Sequence, residues 1–197
     1  EMFGEEYTLV ACADYVLGKA KGNVVSNLSS SRALRDIAQK HGVTYSAAAV
    51  GEVNVVTEIK RVGAIIGGEG NGGIIYPELH YGRDALVGVA LFLSLLAERG
   101  SSVQQLRESY PAYFMSKNKI QLTEQINPDQ ILKAMEQKYA HEQTTTIDGL
   151  KIDFSESWVH LRKSNTEPII RIYTEAKSQK EADELAQRFI QEMQALI

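Results

Sequence analysis

Apolar residues at Leu9, Val10, Ala13, Val16 and Leu17 recur at helical spacing and predict a helix from Tyr7 to Lys19, broken by Gly22-Asn23. Val24 to Leu28 reads as a short strand. Ser29-Ser30-Ser31 offers N-caps for a helix whose apolar face is Ala33, Leu34, Ile37 and Ala38, and Gly42 suits its C-terminal cap. Val43 to Val50 reads as a strand, although its alanines dilute the pattern. Gly51-Glu52 opens a helix toward Lys60, Val62 to Ile66 forms a third strand, Gly67 to Gly73 a loop, and Ile74-Ile75-Tyr76 a fourth strand. Arg83 to Arg99 is the closing helix, stopped by Gly100. Its apolar run, Ala85 to Ala97, is too short to span a bilayer and reads as a buried helix. Strands alternating with helices imply an α/β domain, a mixed sheet with crossover helices, over residues 1–108.

The pattern then changes. Residues 109–116, with Pro111, read as a linker, and Lys117 to Leu122 as a strand. Asn127-Pro128-Asp129-Gln130 starts a helix toward Tyr139, with Asn at the N-cap and Pro at the first helical position. Three strand-like pieces follow. Their connections are an Asp148-Gly149 hairpin signal, a Ser155-Glu156 turn and the polar stretch after Leu161. Ser178 and Glu181 form a capping box before a stripe of Ala182, Leu185, Ala186, Phe189, Ile190, Met193 and Leu196. Residues 117–197 therefore read as a smaller α+β domain, an antiparallel sheet covered on one face by two helices.

Composition narrows the partners. Apolar residues are 44% and the net charge is −4, so the chain as a whole does not attract nucleic acid, and an anion needs a local basic pocket. Cys12 is the only cysteine, which rules out an internal disulfide and favours a reducing, cytoplasmic setting. Glu1-Met2-Phe3-Gly4 lacks a signal-peptide pattern, and no membrane partner is expected. No Asp-x-Asp cluster offers Mg²⁺, and His41, His80, His141 and His160 show no metal spacing.

Two stretches carry candidate chemistry. In Arg162-Lys163-Ser164-Asn165-Thr166-Glu167-Pro168, followed by Arg171, small residues can turn backbone N–H groups toward one point, and the two arginines can add bidentate bonds to a phosphate. Turn chemistry alone explains most such clusters. Gly68, Gly70 and Gly73 match G-x-G-x-x-G, but strand and turn follow instead of a helix, so a dinucleotide site is rejected. The loop can instead present Glu69 and Asn71 to vicinal sugar hydroxyls, or serve as a hairpin whose glycines supply positive φ. Arg83-Asp84 reads as a helix cap, with Arg83 facing a ligand as the lesser reading. Ser29 to Ser31 lack a partner base and read as caps rather than nucleophiles.

Gly68-Glu69-Gly70-Asn71-Gly72 resembles the sugar-binding loop of the α-D-phosphohexomutases. Arg162 to Pro168 with Arg171 resembles their phosphate-binding loop, and Val50-Gly51-Glu52 their sugar-recognition loop. The resemblance covers nearly the whole chain, as the third and fourth domains of a four-domain enzyme. It implies interconversion of hexose 6- and 1-phosphates through a bisphosphate that reorients, with a phosphoserine in the first domain and Mg²⁺ in the second. It also implies that Glu69 and Asn71 grip sugar hydroxyls, while Arg162, Ser164, Asn165, Thr166 and Arg171 hold the non-reacting phosphate. The family commonly has Ser where this chain has Asn71. Neither the phosphoserine loop nor the metal loop is present, so the expected partners are a hexose phosphate and the N-terminal domains of the same polypeptide. This piece alone, without catalytic or metal residues, is expected to be inactive. The loop is most like phosphoglucosamine mutase-type members, with phosphomannomutase and phosphoglucomutase members close. The competing reading is a complete sugar-phosphate-binding module without chemistry.

Overall fold

The computed structural model describes residues 2–123, 126–164 and 166–196. The chain forms two compact units, residues 1–112 and 113–197. The first runs α1 (Glu5–Lys19), β1 (Asn23–Asn27), α2 (Ala33–His41), β2 (Tyr45–Ala48), α3 (Glu52–Val62), β3 (Ala64–Glu69), β4 (Gly73–Ile75), α4 (Ala85–Arg99) and α5 (Val103–Glu108). Its sheet order is β2-β1-β3-β4, parallel except for β4. Right-handed crossovers that move in opposite directions from β1 put α2 and α3 on opposite faces. Successive glycines of β3 mark those faces: a Cβ on Gly67 would strike Ile59 of α3, and one on Gly68 would approach Leu9 of α1. Val25, Val55, Ile59 and Ile75 close the α3 side.

Several local expectations need correction. Gly67, Gly68 and Glu69 belong to β3 rather than to a loop, because β3 pairs with β4 as far as Glu69–Gly73. The cap expected among Ser29–Ser31 falls on Arg32, although Ser31 Oγ accepts from Ala33 N–H at 3.2 Å. The Arg83-Asp84 cap forms as expected, through Asp84, which accepts from Leu86 and Val87 N–H at 2.8 and 3.0 Å at the start of α4. But α4 is not a buried helix: Leu86, Val89 and Leu93 are 82%, 55% and 57% exposed, and only Gly88 and Leu95 are buried. The short α5 was not foreseen, although Ser102 and Gln105 form a capping box before it.

Asp14 of α1 ties this unit together. It is buried and takes hydrogen bonds from His41 at 2.7 Å, from Tyr110 at 3.1 Å and from Arg99, with Lys40 3.4 Å away. Burial pushes its carboxyl up, but the His41 bond, the charges of Lys40 and Arg99 and the Tyr110 hydroxyl together hold it below the usual range.

The second unit runs β5 (Phe114–Gln121), α6 (Pro128–Lys138), β6 (Gln143–Thr145), β7 (Leu150–Asp153), β8 (Trp158–Lys163), β9 (Ile169–Ala176) and α7 (Gln179–Gln194). β5 takes in Phe114 to Ser116, within the stretch read as a linker, because β9 extends to Ala176 and pairs with Phe114. The antiparallel sheet has the order β5-β9-β8-β7-β6. Leu150, Ile152, Val159, Leu161, Ile170 and Ile172 face Met135 of α6 and Phe189 and Met193 of α7 in one core. Both expected caps form: Asn127 accepts from Asp129 N–H at 2.9 Å and Ser178 from Glu181 N–H at 3.2 Å. No helix among the described residues is long and apolar enough to cross a membrane.

Candidate functional site

In the first unit the chain leaves β1 for β2 on one side, then crosses back to β3 on the other. In α/β sheets the crevice beyond the carboxyl ends of two such strands is where ligands bind. The polar residues of this unit converge there. Glu69 ends β3 and is only 6% exposed. Its Oε1 accepts from Asn27 Nδ2 at 2.9 Å and from Gly51 N–H at 3.2 Å, and its Oε2 lies 3.6 Å from Arg83 Nη1. Arg83 also donates from Nε and from its backbone N–H to the two oxygens of Glu52, each at 2.9 Å. These bonds, the backbone one first, hold the Glu52 carboxyl below its ordinary value. The two stretches Gly51-Glu52 and Gly68 to Gly72, far apart in sequence, therefore share one hydrogen-bonded cluster, with Arg83 bridging their carboxylates.

A second chain of bonds sets the turn after β3. Gly70 N–H donates to Ser30 Oγ at 2.9 Å, and Ser30 Oγ donates to Asn27 Oδ1 at 3.0 Å. Asn71 is exposed, and its Oδ1 accepts from Gly73 N–H at 3.2 Å, so its amide NH₂ remains a donor at the turn. Gly72 has φ 83° and Gly51 φ 117°, backbone conformations that favour glycine. A Cβ on Gly70 would run into the Glu6 carboxylate, which itself accepts from Ser31 N–H at 2.9 Å. Asn27, the bonds of Ser30 to the Gly70 turn and the bridging role of Arg83 are not among the expectations from the sequence. The available signal was the polar pair Ser26-Asn27 inside an apolar strand.

In the second unit Arg162 near the end of β8 stands directly opposite Arg171 of β9. Lys119 of β5 is opposite Arg171 on its other side, so three cations occupy one row across the sheet. Neighbouring residues of β8 and β9, Leu161 and Ile172, enter the helix-covered core, which puts the row on the opposite face. Arg162 Nη1 is 3.5 Å from Asp148 Oδ2, and Arg171 Nη2 is 3.5 Å from Glu167 Oε2. The connecting turn closes through Ser164 N–H to Ile169 O at 3.0 Å, and Ser164 Oγ accepts from Thr166 N–H at 3.4 Å. Lys163 anchors the turn on Asp129 of α6 at 2.7 and 2.9 Å, and Leu122 N–H fixes its far end at Pro168 O, 2.8 Å away. Arg162, Ser164, Thr166 and Arg171 are thus brought together; Asn165 lies outside the described residues.

Behind this row His160 is buried and contacts Asp148 O at 2.6 Å. Burial lowers its pKa to about 4, against the opposing pull of Asp148. Trp158 Nε1 donates to Glu175 Oε1 at 2.7 Å. The other histidines pair with carboxylates: His41 with Asp14, His80 with Asp84 and His141 with Glu142. No group of three or more His, Cys, Asp or Glu that could hold a metal occurs among the described residues.

The two units correspond to two family domains. Residues 4–113 match the model of phosphoglucomutase/phosphomannomutase alpha/beta/alpha domain III, and residues 119–192 match that of the C-terminal domain. A probable phosphoglucosamine mutase of Methanopyrus kandleri is 29% identical over 94% of this chain and 41% of its own length. A phosphoglucosamine/phosphogalactosamine mutase of Sulfurisphaera tokodaii is 35% identical over 85% of this chain and 37% of its own length. The chain therefore spans about two-fifths of the length of these curated relatives. The crystal structure of a phosphoglucomutase/phosphomannomutase family protein from Burkholderia thailandensis shares the fold, with a TM-score of 0.82 at 23% identity over 99% of this chain and 42% of that one. Matched in both units by consecutive domains of one enzyme family, the chain belongs to the α-D-phosphohexomutases and carries their third and C-terminal domains.

Proposed function

We propose that this chain is the substrate-recognition half of a mutase that interconverts hexosamine 6-phosphate and 1-phosphate, with a hexose phosphate as the alternative substrate. The relatives named phosphoglucosamine mutase favour the amino sugar. The observation that carries the reading is the position of Glu69: a carboxylate fixed at the sheet's switch crevice, bonded to the Gly51 turn and bridged to Glu52 by Arg83. Its oxygens keep lone pairs for hydroxyl donors. The 3.6 Å Arg83 contact is the weaker of that side chain's two carboxylate contacts, so an approaching hydroxyl displaces it at little cost while Arg83 stays on Glu52. Asn71 adds an exposed amide on the same turn. In the other unit, Arg162 and Arg171 supply planar donors for a phosphate, with the Ser164 and Thr166 hydroxyls beside them.

A carboxylate and amide for hydroxyls in one unit and arginines for a phosphate in the other supply the two kinds of contact that a sugar phosphate needs. Among the described residues no cluster of three or more His, Cys, Asp or Glu fits a metal. The phosphoryl-donating residue and the Mg²⁺ that the family resemblance implies belong, in this reading, to polypeptide preceding domain III. The test is an NMR titration with glucosamine 6-phosphate, glucose 6-phosphate, mannose 6-phosphate and inorganic phosphate. Shifts at both the Glu69 and Arg162 turns, strongest with the amino sugar, support the proposal. Silence at the Arg162 turn in a folded protein overturns it.

A further inference from the structure

We infer that Lys119, on β5, is a third cation of the anion site and contacts the phosphoryl group held by the Arg162 turn. The inference rests on the phosphate reading of that turn and extends it to a strand outside the motif. Lys119 pairs with Arg171, and Arg171 with Arg162. Directly opposed residues of antiparallel strands point to the same face, with Cβ atoms about 5 Å apart. Three positive side chains therefore stand abreast on adjacent strands. Like charges directly opposite destabilise a sheet, so the row needs a counter-charge. Arg162 has Asp148 and Arg171 has Glu167, each at 3.5 Å. For Lys119 no acidic partner occurs among the described residues, and its side chain is exposed.

The backbone keeps Lys119 close to the turn. Leu122 N–H bonds Pro168 O at 2.8 Å, and Gln121 Nε2 reaches the same oxygen at 3.3 Å, so the end of β5 is tied to the end of the phosphate turn. Lys117, two residues away on the same face, has its ammonium 5.8 Å from the Tyr173 ring, two register positions farther from the turn. The chemistry also fits. Two guanidinium groups bind a phosphate through paired N–H donors, and a flexible ammonium adds a point charge to a remaining oxygen. The ligand class is a phosphomonoester dianion rather than an uncharged sugar.

The test compares wild type, Lys119→Gln and Lys119→Arg, titrated with inorganic phosphate, glucosamine 6-phosphate and glucosamine, followed at the amides of the Arg162 turn. Lys119→Gln is expected to weaken both phosphates about fivefold to tenfold, as loss of one charge-assisted contact at an exposed site does. Lys119→Arg should stay within about twofold of wild type, since the charge is kept. Thermal unfolding separates this from a structural role. Without phosphate, Lys119→Gln should be as stable as wild type or more so, because repulsion in the row is relieved; in saturating phosphate it should be less stable. Equal phosphate affinity in wild type and Lys119→Gln overturns the role of Lys119 and leaves the turn as the site. A wild-type turn that ignores phosphate overturns both, and an equal response to glucosamine overturns the choice of a phosphate ligand.

Discussion

Glu69→Ala tests the crevice cluster most directly. The change leaves Asn27 Nδ2 and Gly51 N–H without their acceptor and leaves Arg83 with Glu52 alone. A buried donor deprived of its partner costs about 1–3 kcal/mol. Asn27 is buried and should pay the upper part of that range; Gly51 is only half-buried and recovers a bond to water. The sum is about 3 kcal/mol, a factor of about 100 in the opening equilibrium. Two internal probes read the units separately. Cys12, the only cysteine, is buried in the first unit, and burial pushes its thiol up to about 12, so at neutral pH it labels only when that unit opens. Trp158, the only tryptophan, is buried in the second unit and reports its unfolding by fluorescence. Glu69→Ala should speed Cys12 labelling about 100-fold under conditions where labelling follows the opening equilibrium, and leave the Trp158 transition in place. Glu69→Gln, which keeps an acceptor oxygen but loses the charge, should cost about 1 kcal/mol and still abolish the sugar-dependent shifts. A change below about 0.5 kcal/mol in Glu69→Ala would show that the cluster is not formed.

Further outcomes follow from single contacts. His160 is held at about 4 against an unfolded value of 6.5. It is neutral in the fold, so the unfolded chain takes up the proton first; stability that is full above pH 6.5 is lost as pH falls toward 4, by about 1.4 kcal/mol per unit and about 3 kcal/mol in all. An imidazole NMR titration with a midpoint near the unfolded value refutes this. Gly68→Ala puts a methyl group onto the Gly73 carbonyl across the β3–β4 hairpin, and because that neighbour is backbone, the loss should be about 3 kcal/mol, measurable by Cys12 labelling. The 197-residue chain alone should interconvert no glucosamine phosphates in a coupled assay with Mg²⁺ present; measurable turnover would sink the half-enzyme reading.

The sequence was most legible where a local rule decides the structure. Asn127-Pro128 and Ser178 cap their helices because side-chain acceptors and a fixed φ act within one turn. Gly149 takes φ 72° at the turn that Asp148-Gly149 announces. It was least legible where a tertiary neighbour decides. Gly67 and Gly68 look like loop residues by propensity, yet they are strand, paired with β1 and β4, and glycine stands there because the Val25 carbonyl, Ile59 and the Gly73 carbonyl leave no room for a Cβ. The α4 run was apolar enough to read as buried, but hydrophobicity does not say whether a partner surface exists, and Leu86, Val89 and Leu93 have none within this unit. The site divides in the same way. The turns carrying Glu69, Arg162 and Arg171 stood out because clustered glycines and small polar residues interrupt apolar runs. Asn27 and Lys119 did not, and Ser30 and Arg83 read only as helix caps or a lesser ligand candidate, since each gains its place in the site from a strand or turn distant in sequence. Asn27 is informative only because β1 lies beside β3, and Lys119 only because β5 is in register with β9. A motif locates the turn that presents a ligand group, whereas register and sheet order decide which residues outside the motif complete the site.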